Sequence, residues 1–144
     1  MADRLSESDL RAFEIRGIQK LHDLAALIEI IGDETYDSKL RDKAKQHALG
    51  FFANDSCPVM GMACRKYLGR VMGGRDEPLM NIQHIKVISP FTLFKDGQYT
   101  ALIGFQMSGN NEMQASLVAQ RTRKQFGTEE EEVWTVYVCE IKKS

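Results

Sequence analysis

The side chains best suited to chemistry in this sequence are one histidine and three large aromatic residues. His84 lies in a segment that predicts a β-strand, where an imidazole can act as a general acid or base beside an apolar pocket. Tyr67, Tyr99 and Trp134 can stack on an apolar or aromatic ligand. These four residues form the predicted pocket. Core packing explains the aromatic residues equally well, and a lone strand histidine is more often a surface or hydrogen-bonded residue.

Sequence patterns of catalytic and metal sites are missing. Cys57 and Cys64 are separated by six residues, which is wider than the spacing of zinc ligands in one motif. The glycine-containing segment 69–74 lacks the Lys-Ser/Thr pair of a phosphate-binding loop. We therefore predict no catalytic residue, no metal site and no cofactor. The cysteines are expected to be reduced thiols, with a Cys57–Cys64 disulfide as the alternative in an exported protein.

The charge balance argues against a protein that binds nucleic acids in general. Nineteen Lys and Arg residues against twenty Asp and Glu residues give a net charge of −1, which provides no overall field for a phosphate backbone. Arg121 and Arg123 precede an acidic run at 129–132. We favour charge pairing across a hairpin over a basic patch for these residues. No nucleic-acid partner is expected.

No segment is apolar for long enough to cross a membrane as a helix. The apolar stretch 24–31 is interrupted by Glu29 and is far shorter than the roughly 20 residues that a membrane helix needs. The first residues of the sequence lack the apolar core of a signal peptide. We expect a cytoplasmic protein as the sequence stands, and an exported one if a leader has been removed.

The first half of the sequence predicts three helices. Ser6, with Asp9 three residues later, indicates a helix start, and apolar residues then recur at steps of three and four as far as Ile31. Gly17 falls on this apolar stripe. A second helix is predicted over 38–49, and a shorter third helix over 62–72.

The second half predicts four strands, over 80–94, 98–108, 112–124 and 133–142. Asp96-Gly97 is a hairpin signal, and because the links between the first three strands are short, their neighbours must be antiparallel. Pro90 within the first strand predicts a bulge or an edge position. The last strand is apolar on both faces, which indicates helices on one side and a partner, or the curl of the sheet, on the other.

The expected fold is one α+β domain over 1–144, with helices at about 6–73 packed on a curved, four-stranded antiparallel sheet at about 80–142. This element order resembles the nuclear transport factor two-like (cystatin-like) superfamily, a cone in which a curled sheet wraps around its helices. Tyr67 and Leu68 before the sheet and the closing strand 134–141 are similar to segments of uncharacterised members from the Bacteroidetes. The resemblance covers most of the chain and implies a bacterial protein.

The resemblance implies several kinds of function, because the superfamily includes isomerases, dehydratases and cyclases as well as members that only bind a ligand or a protein. We expect a non-catalytic binding or assembly module, which forms a homodimer through the open face of its sheet and binds a small apolar ligand or a protein partner. The alternative is a small enzyme of the same cone, of isomerase or dehydratase type. In that enzyme His84 or Tyr99 acts on a small hydrophobic substrate.

Overall fold

The chain places its helices before its long strands. The computed structural model describes residues 5–75, 82–95, 97–107 and 111–144. The elements follow in the order α1 (Glu7–Gly32), α2 (Ser38–Leu49), β1 (Pro58–Val59), β2 (Met62–Ala63), α3 (Cys64–Met72), β3 (Gln83–Lys95), β4 (Gln98–Met107), β5 (Asn111–Phe126) and β6 (Glu129–Lys143). The predicted α+β class, with helices followed by a mostly antiparallel sheet, is confirmed.

The sheet has more strands than the four predicted. Six strands pair in the order β2-β1-β6-β5-β4-β3, and Phe52 adds an isolated parallel bridge to Val138. The long neighbours are antiparallel, whereas β1 pairs with β6 in parallel. The sequence does not reveal β1 and β2, because each has only two residues, too few for a recognisable alternation. Consequently α3 begins at Cys64 and not at the predicted residue 62.

The first helix begins with a capping box and packs closely on the sheet. The Ser6 hydroxyl accepts a hydrogen bond from the Asp9 N–H at 3.2 Å, and the Asp9 carboxylate accepts one from the Ser6 N–H at 3.1 Å. At Gly17 the helix lies so close to β5 that an added Cβ would overlap Leu117 Cδ1. The glycine on the apolar stripe therefore allows a close approach between α1 and the sheet.

Arg41 of α2 joins the ends of the other two helices. Its guanidinium donates to the carbonyl oxygen of Ile31 at 2.9 Å and to that of Met72 at 2.7 Å. The last carbonyls of a helix have no partner within the helix. One side chain thus provides a hydrogen-bond donor for a C-terminal carbonyl oxygen of each of the helices α1 and α3.

The core lies between the helices and one face of the sheet. The inward face of β4 is buried, and its members are Tyr99, Ala101, Ile103 and Phe105. The opposite face, here called the outer face, presents largely uncharged and mostly half-buried side chains. They include Thr100, Leu102, Ser116, Val118 and Thr135.

The strand β3 lies at one edge of the sheet, in agreement with the prediction from Pro90. Its register with β4 shifts on both sides of Ser89, as expected for an irregular edge strand.

Strands β5 and β6 are longer than β4. In the described residues β4 pairs with β5 only as far as Gln120, whereas β5 and β6 stay paired out to Phe126 and Glu129. This extension is the β5–β6 arm.

Ion pairs between opposite charges link side chains on the two strands of the arm. Arg121 lies 3.8 Å from a Glu132 oxygen, and Arg123 lies 3.7 Å from a Glu130 oxygen. The predicted charge pairing across a hairpin is therefore present. Because these side chains are largely exposed, each pair contributes little to stability.

Some sequence predictions fall on residues outside the described ranges. They concern the start of the first strand at residue 80, the Asp96 half of the hairpin signal, and the end of the second strand at residue 108. Among the helices that the structure describes, none is both long and apolar enough to span a bilayer.

Candidate binding cavity

A cavity of about 570 Å³ lies where the ends of β4, β5 and β6 meet the β1–β2 hairpin. This volume is within the range of roughly 300–1,000 Å³ that small-molecule sites occupy. Four of the seven methionines in the chain line the cavity, namely Met60, Met62, Met107 and Met113. Tyr67, Asn111, Lys142 and Lys143 also contribute to its walls. The cavity is therefore apolar inside, with polar groups at its margin.

The β1–β2 hairpin holds Met60 in an unfavourable backbone conformation. Met60 and Gly61 have φ angles of +53° and +81°, so both central residues of this two-residue turn are left-handed. Glycine tolerates that region, but a methionine there costs about 1–2 kcal/mol. The turn is attached to β6, because the Met60 N–H donates to the Ile141 carbonyl oxygen at 2.9 Å. Positive φ at both central residues is what a two-residue hairpin turn of this kind requires.

The base of the same hairpin is buried. Cys57 and Cys64 are buried free thiols, and the Cys64 N–H donates to the Cys57 carbonyl oxygen at 2.8 Å. Burial, and then the neighbouring Cys57, raise the pKa of the Cys64 thiol to about 11. The same two causes raise the pKa of Cys139 to about 11. Both thiols are therefore protonated near neutral pH and are poor nucleophiles.

The cavity has an apolar inner wall and a cationic rim. Tyr67 and Met113 are 2% and 1% exposed and form the inner wall. Lys142 and Lys143 are exposed, and Lys143 lies opposite Met113 in the pairing of β6 with β5. An occupant of the cavity would therefore contact thioether groups inside and ammonium groups at the opening.

His84 lines a smaller, neighbouring pocket of about 280 Å³ together with Lys86 and Glu112. Its φ angle is +53°, and the pairing of β3 with β4 shifts register between Gln83 and Lys86. A non-glycine residue with this φ inside a strand is strained. His84 is exposed, and among the described residues Met113 alone lines both this pocket and the methionine cavity.

Tyr99 and Trp134 lie at the opposite end of the sheet, in an aromatic cluster with Phe13 and Phe91. The ring centroids of Tyr99 and Trp134 are 5.8 Å apart, and Phe13 is 5.5 Å from Trp134 and 5.9 Å from Phe91. The Tyr99 hydroxyl accepts a hydrogen bond from the Leu5 N–H at 3.2 Å. These rings therefore pack against one another.

The structure thus divides the predicted pocket residues among three places. Tyr67 lines the methionine cavity, His84 lines the adjacent pocket, and Tyr99 and Trp134 contact each other in the aromatic cluster. Sequence reasoning missed the methionines and the two lysines. The sequence does contain a signal for the methionines: Met60 and Met62 flank Gly61, and Met107 and Met113 flank the link between β4 and β5. Two turns therefore carry two methionines each.

Within the described ranges, no group of three or more His, Cys, Asp or Glu side chains could hold a metal ion. Comparisons with protein-family models, curated proteins and solved structures find no match for this chain. The function of the cavity is therefore inferred from the residues that line it.

Proposed function

We propose that this protein is a non-catalytic binding module that holds a small ligand with an apolar body in the methionine-lined cavity and works as a homodimer. The observation that carries the proposal is the convergence of four methionines on one cavity of about 570 Å³. Methionine is unbranched and polarizable, so a wall built from it adapts to an irregular apolar ligand. Met60, Met62 and Met107 are half-buried, and burying their remaining surface under a ligand is favourable.

The cone of the nuclear transport factor two-like superfamily remains part of this proposal. Helices that precede the sheet and cover one of its faces are in keeping with it. The register shifts in β3, and the shift between β5 and β6 at Ser116 and Leu117, also support it, because such irregularities bend strands. A cavity at one end of a helix-covered sheet suits a ligand-binding member of such a family.

The outer face of the sheet is the surface proposed to meet a second copy of this chain. Thr100, Leu102 and Val118 at its centre are uncharged, in keeping with the depletion of charge at interface centres, and the stem of Lys86 lies over the neighbouring Gly104. Ile88 of the edge strand lies over Gly104 and is 42% exposed. Four strands about 4.8 Å apart and about ten residues long give roughly 650 Å² in projection, close to the ~800 Å² that each partner buries in ordinary interfaces.

The ligand part can be tested by NMR of protein labelled with ¹³C at the methionine methyl groups. Addition of 1-decanol is expected to shift the resonances of Met60, Met62, Met107 and Met113, whereas Met72, which does not line the cavity, serves as the internal reference. A Met107→Trp substitution should fill the cavity and abolish the shifts. Leu40→Trp, at an exposed site on α2, should leave them unchanged. If saturating decanol shifts none of the four resonances, the ligand part is wrong.

The dimer part can be tested by size-exclusion chromatography with light scattering. We expect the wild-type protein to have twice the mass of the chain, and Leu102→Glu to yield monomer, because burying an unpaired carboxylate in an interface is costly. Ile15→Glu is the matched control, since Ile15 is 70% exposed on α1, away from the outer face. A wild-type protein that is monomeric across micromolar concentrations would remove the dimer from the proposal.

The strained backbone of His84 favours a second candidate function, a small enzyme of isomerase or dehydratase type. Here the imidazole would remove a proton next to a carbonyl group of a small hydrophobic substrate in the adjacent pocket. The test is deuterium incorporation from D₂O into a panel of small hydrophobic ketones. Incorporation that His84→Gln abolishes, and that Tyr67→Phe leaves intact, would replace the binding module with this enzyme.

A further inference from the structure

We propose that the ligand of the methionine cavity is an amphiphile with a single anionic head group, held at the rim by Lys142 and Lys143. This inference rests on the proposed ligand-binding function and adds the charge of the ligand to it. The ligand class is a flexible apolar chain that ends in a carboxylate or a phosphate ester. The chain lies among the methionines, and the head group lies at the rim, near the two lysines.

The pairing of the last strand brings the cations next to the apolar wall. Lys143 lies opposite the buried Met113, and Lys142 lies opposite Gln114. Paired strands are about 4.8 Å apart, so the backbone of Lys143 is one strand away from the inner wall. Both lysines line the cavity and are exposed. The spacing suits a molecule whose apolar part and charged part are directly joined.

Neither cation is neutralised by the rest of the described chain. No described residue forms an ion pair or a hydrogen bond with the Lys142 or Lys143 ammonium group. By contrast, Arg121 and Arg123 in the β5–β6 arm pair with Glu130 and Glu132. No acidic side chain lines the methionine cavity in the described residues. The rim therefore carries two positive charges that are available to a ligand.

The same rim argues against the other ligand that methionines suit, a soft metal cation such as Cu(I). Two ammonium groups at the opening would repel such an ion, and a thioether has no negative charge to compensate for them. With an anionic amphiphile, the apolar chain supplies most of the binding free energy. The lysines, which face solvent, supply selectivity for charge more than raw affinity.

The experiment compares chains of one length that differ in the head group. Decanoate, decyl phosphate and decyltrimethylammonium are titrated below their critical micelle concentrations, and 1-decanol below its solubility limit, into full-length protein labelled at the methionine methyls. We expect the two anions to bind roughly tenfold more tightly than 1-decanol, and decyltrimethylammonium to bind most weakly. The tighter of the two anions identifies the head group.

Paired lysine variants provide the control. Lys142→Gln with Lys143→Gln is expected to remove the advantage of the anions, so that decanoate and decyl phosphate bind no more tightly than 1-decanol. Lys39→Gln with Lys43→Gln makes the same change of charge on the exposed face of α2, and the advantage should persist. Equal affinities of the wild-type protein for decanoate, decyl phosphate and 1-decanol would overturn the inference while the proposed ligand site stands. If none of the compounds shifts a cavity methyl, the proposed ligand function fails as well.

Discussion

The two ends of the sheet are filled in opposite ways. Strand β4 runs from Tyr99 in the aromatic cluster to Met107 at the cavity, eight residues along the strand, or roughly 27 Å. Flat, rigid rings at the first end contact one another at centroid distances of 5.5–5.9 Å. Flexible thioether chains at the other end leave about 570 Å³ between them. Both ends are apolar, but they differ in the shape and stiffness of their side chains. This difference explains why the aromatic end is packed and the methionine end is open.

Removing a ring from the aromatic cluster should have the largest effect on stability. Phe13 is 4% exposed and contacts both Phe91 and Trp134, so Phe13→Ala is expected to lower the free energy of unfolding by about 3–5 kcal/mol. Urea denaturation followed by circular dichroism measures this change. Phe94→Ala, at a residue that is 67% exposed, should change it by less than about 0.5 kcal/mol. A loss below about 1 kcal/mol in Phe13→Ala would show that the cluster is not tightly packed.

The pH dependence of stability due to Cys64, at the base of the β1–β2 hairpin, tests whether water is excluded beneath the methionine cavity. The folded protein raises the pKa of Cys64 from 9.0 to about 11, so its neutral form is favoured in the folded state. The resulting stabilisation is complete below pH 9 and is lost as the pH rises towards 11, by up to about 2–3 kcal/mol.

The measurement is the difference in unfolding free energy between the wild-type protein and Cys64→Ala as a function of pH. This difference should be constant below pH 9 and should shift against the wild-type protein between pH 9 and 11. A Cys139→Ala variant should retain the contribution of Cys64. Parallel pH profiles for the wild-type protein and Cys64→Ala would mean that water reaches the thiol.

Relaxing the strained turn should separate stability from binding. Asparagine tolerates positive φ better than methionine, so Met60→Asn is expected to raise the free energy of unfolding by about 1 kcal/mol. The same substitution removes a thioether from the cavity wall and should weaken the binding of 1-decanol. Thermal denaturation and methyl-detected titration report the two effects. A variant that gains stability and keeps full affinity would show that Met60 does not contact the ligand.

The smallest change in stability is expected from a substitution that preserves volume at the cavity. Met107→Leu should alter the free energy of unfolding by about 0.5 kcal/mol, because Met107 is half-buried and the two side chains are similar in volume. Phe91→Leu in the aromatic cluster should cost more, about 1–2 kcal/mol, because a branched chain cannot replace a ring in edge contact. Equal losses at the two sites would contradict the contrast between the ends.

The fold was predictable where local signals agree with long-range packing. Ser6 caps the helix that its position predicts, and the second helix, predicted over 38–49, begins after Asp37, whose carboxylate accepts a hydrogen bond from the Leu40 N–H at 2.8 Å. The alternation in β4 likewise predicts its buried face. The start of β6 was predicted too late, because acidic residues have low strand propensity. Their strand conformation follows from backbone pairing with residues 122–126 of β5, which local sequence does not show.

The site was less predictable than the fold, because the position of a cavity depends on how side chains from distant parts of the sequence pack together. Tyr67, Tyr99 and Trp134 are equally suited to lining a pocket and to filling a core. Which of them does so depends on neighbours distant in sequence, such as Phe13 beside Trp134. The cavity itself is built from methionines at two turns that meet only in the folded sheet.

The β5–β6 arm has a consequence for how the molecule opens. Residues 122–126 pair only with residues 129–133 in the described registers, so these strands can separate without exposing the core. Their amide hydrogens should therefore exchange with deuterium through a local event, well before those of the central ladder. We therefore expect the arm to open as an independent unit, and a partner bound to it should slow its exchange while leaving the protection of the central strands unchanged.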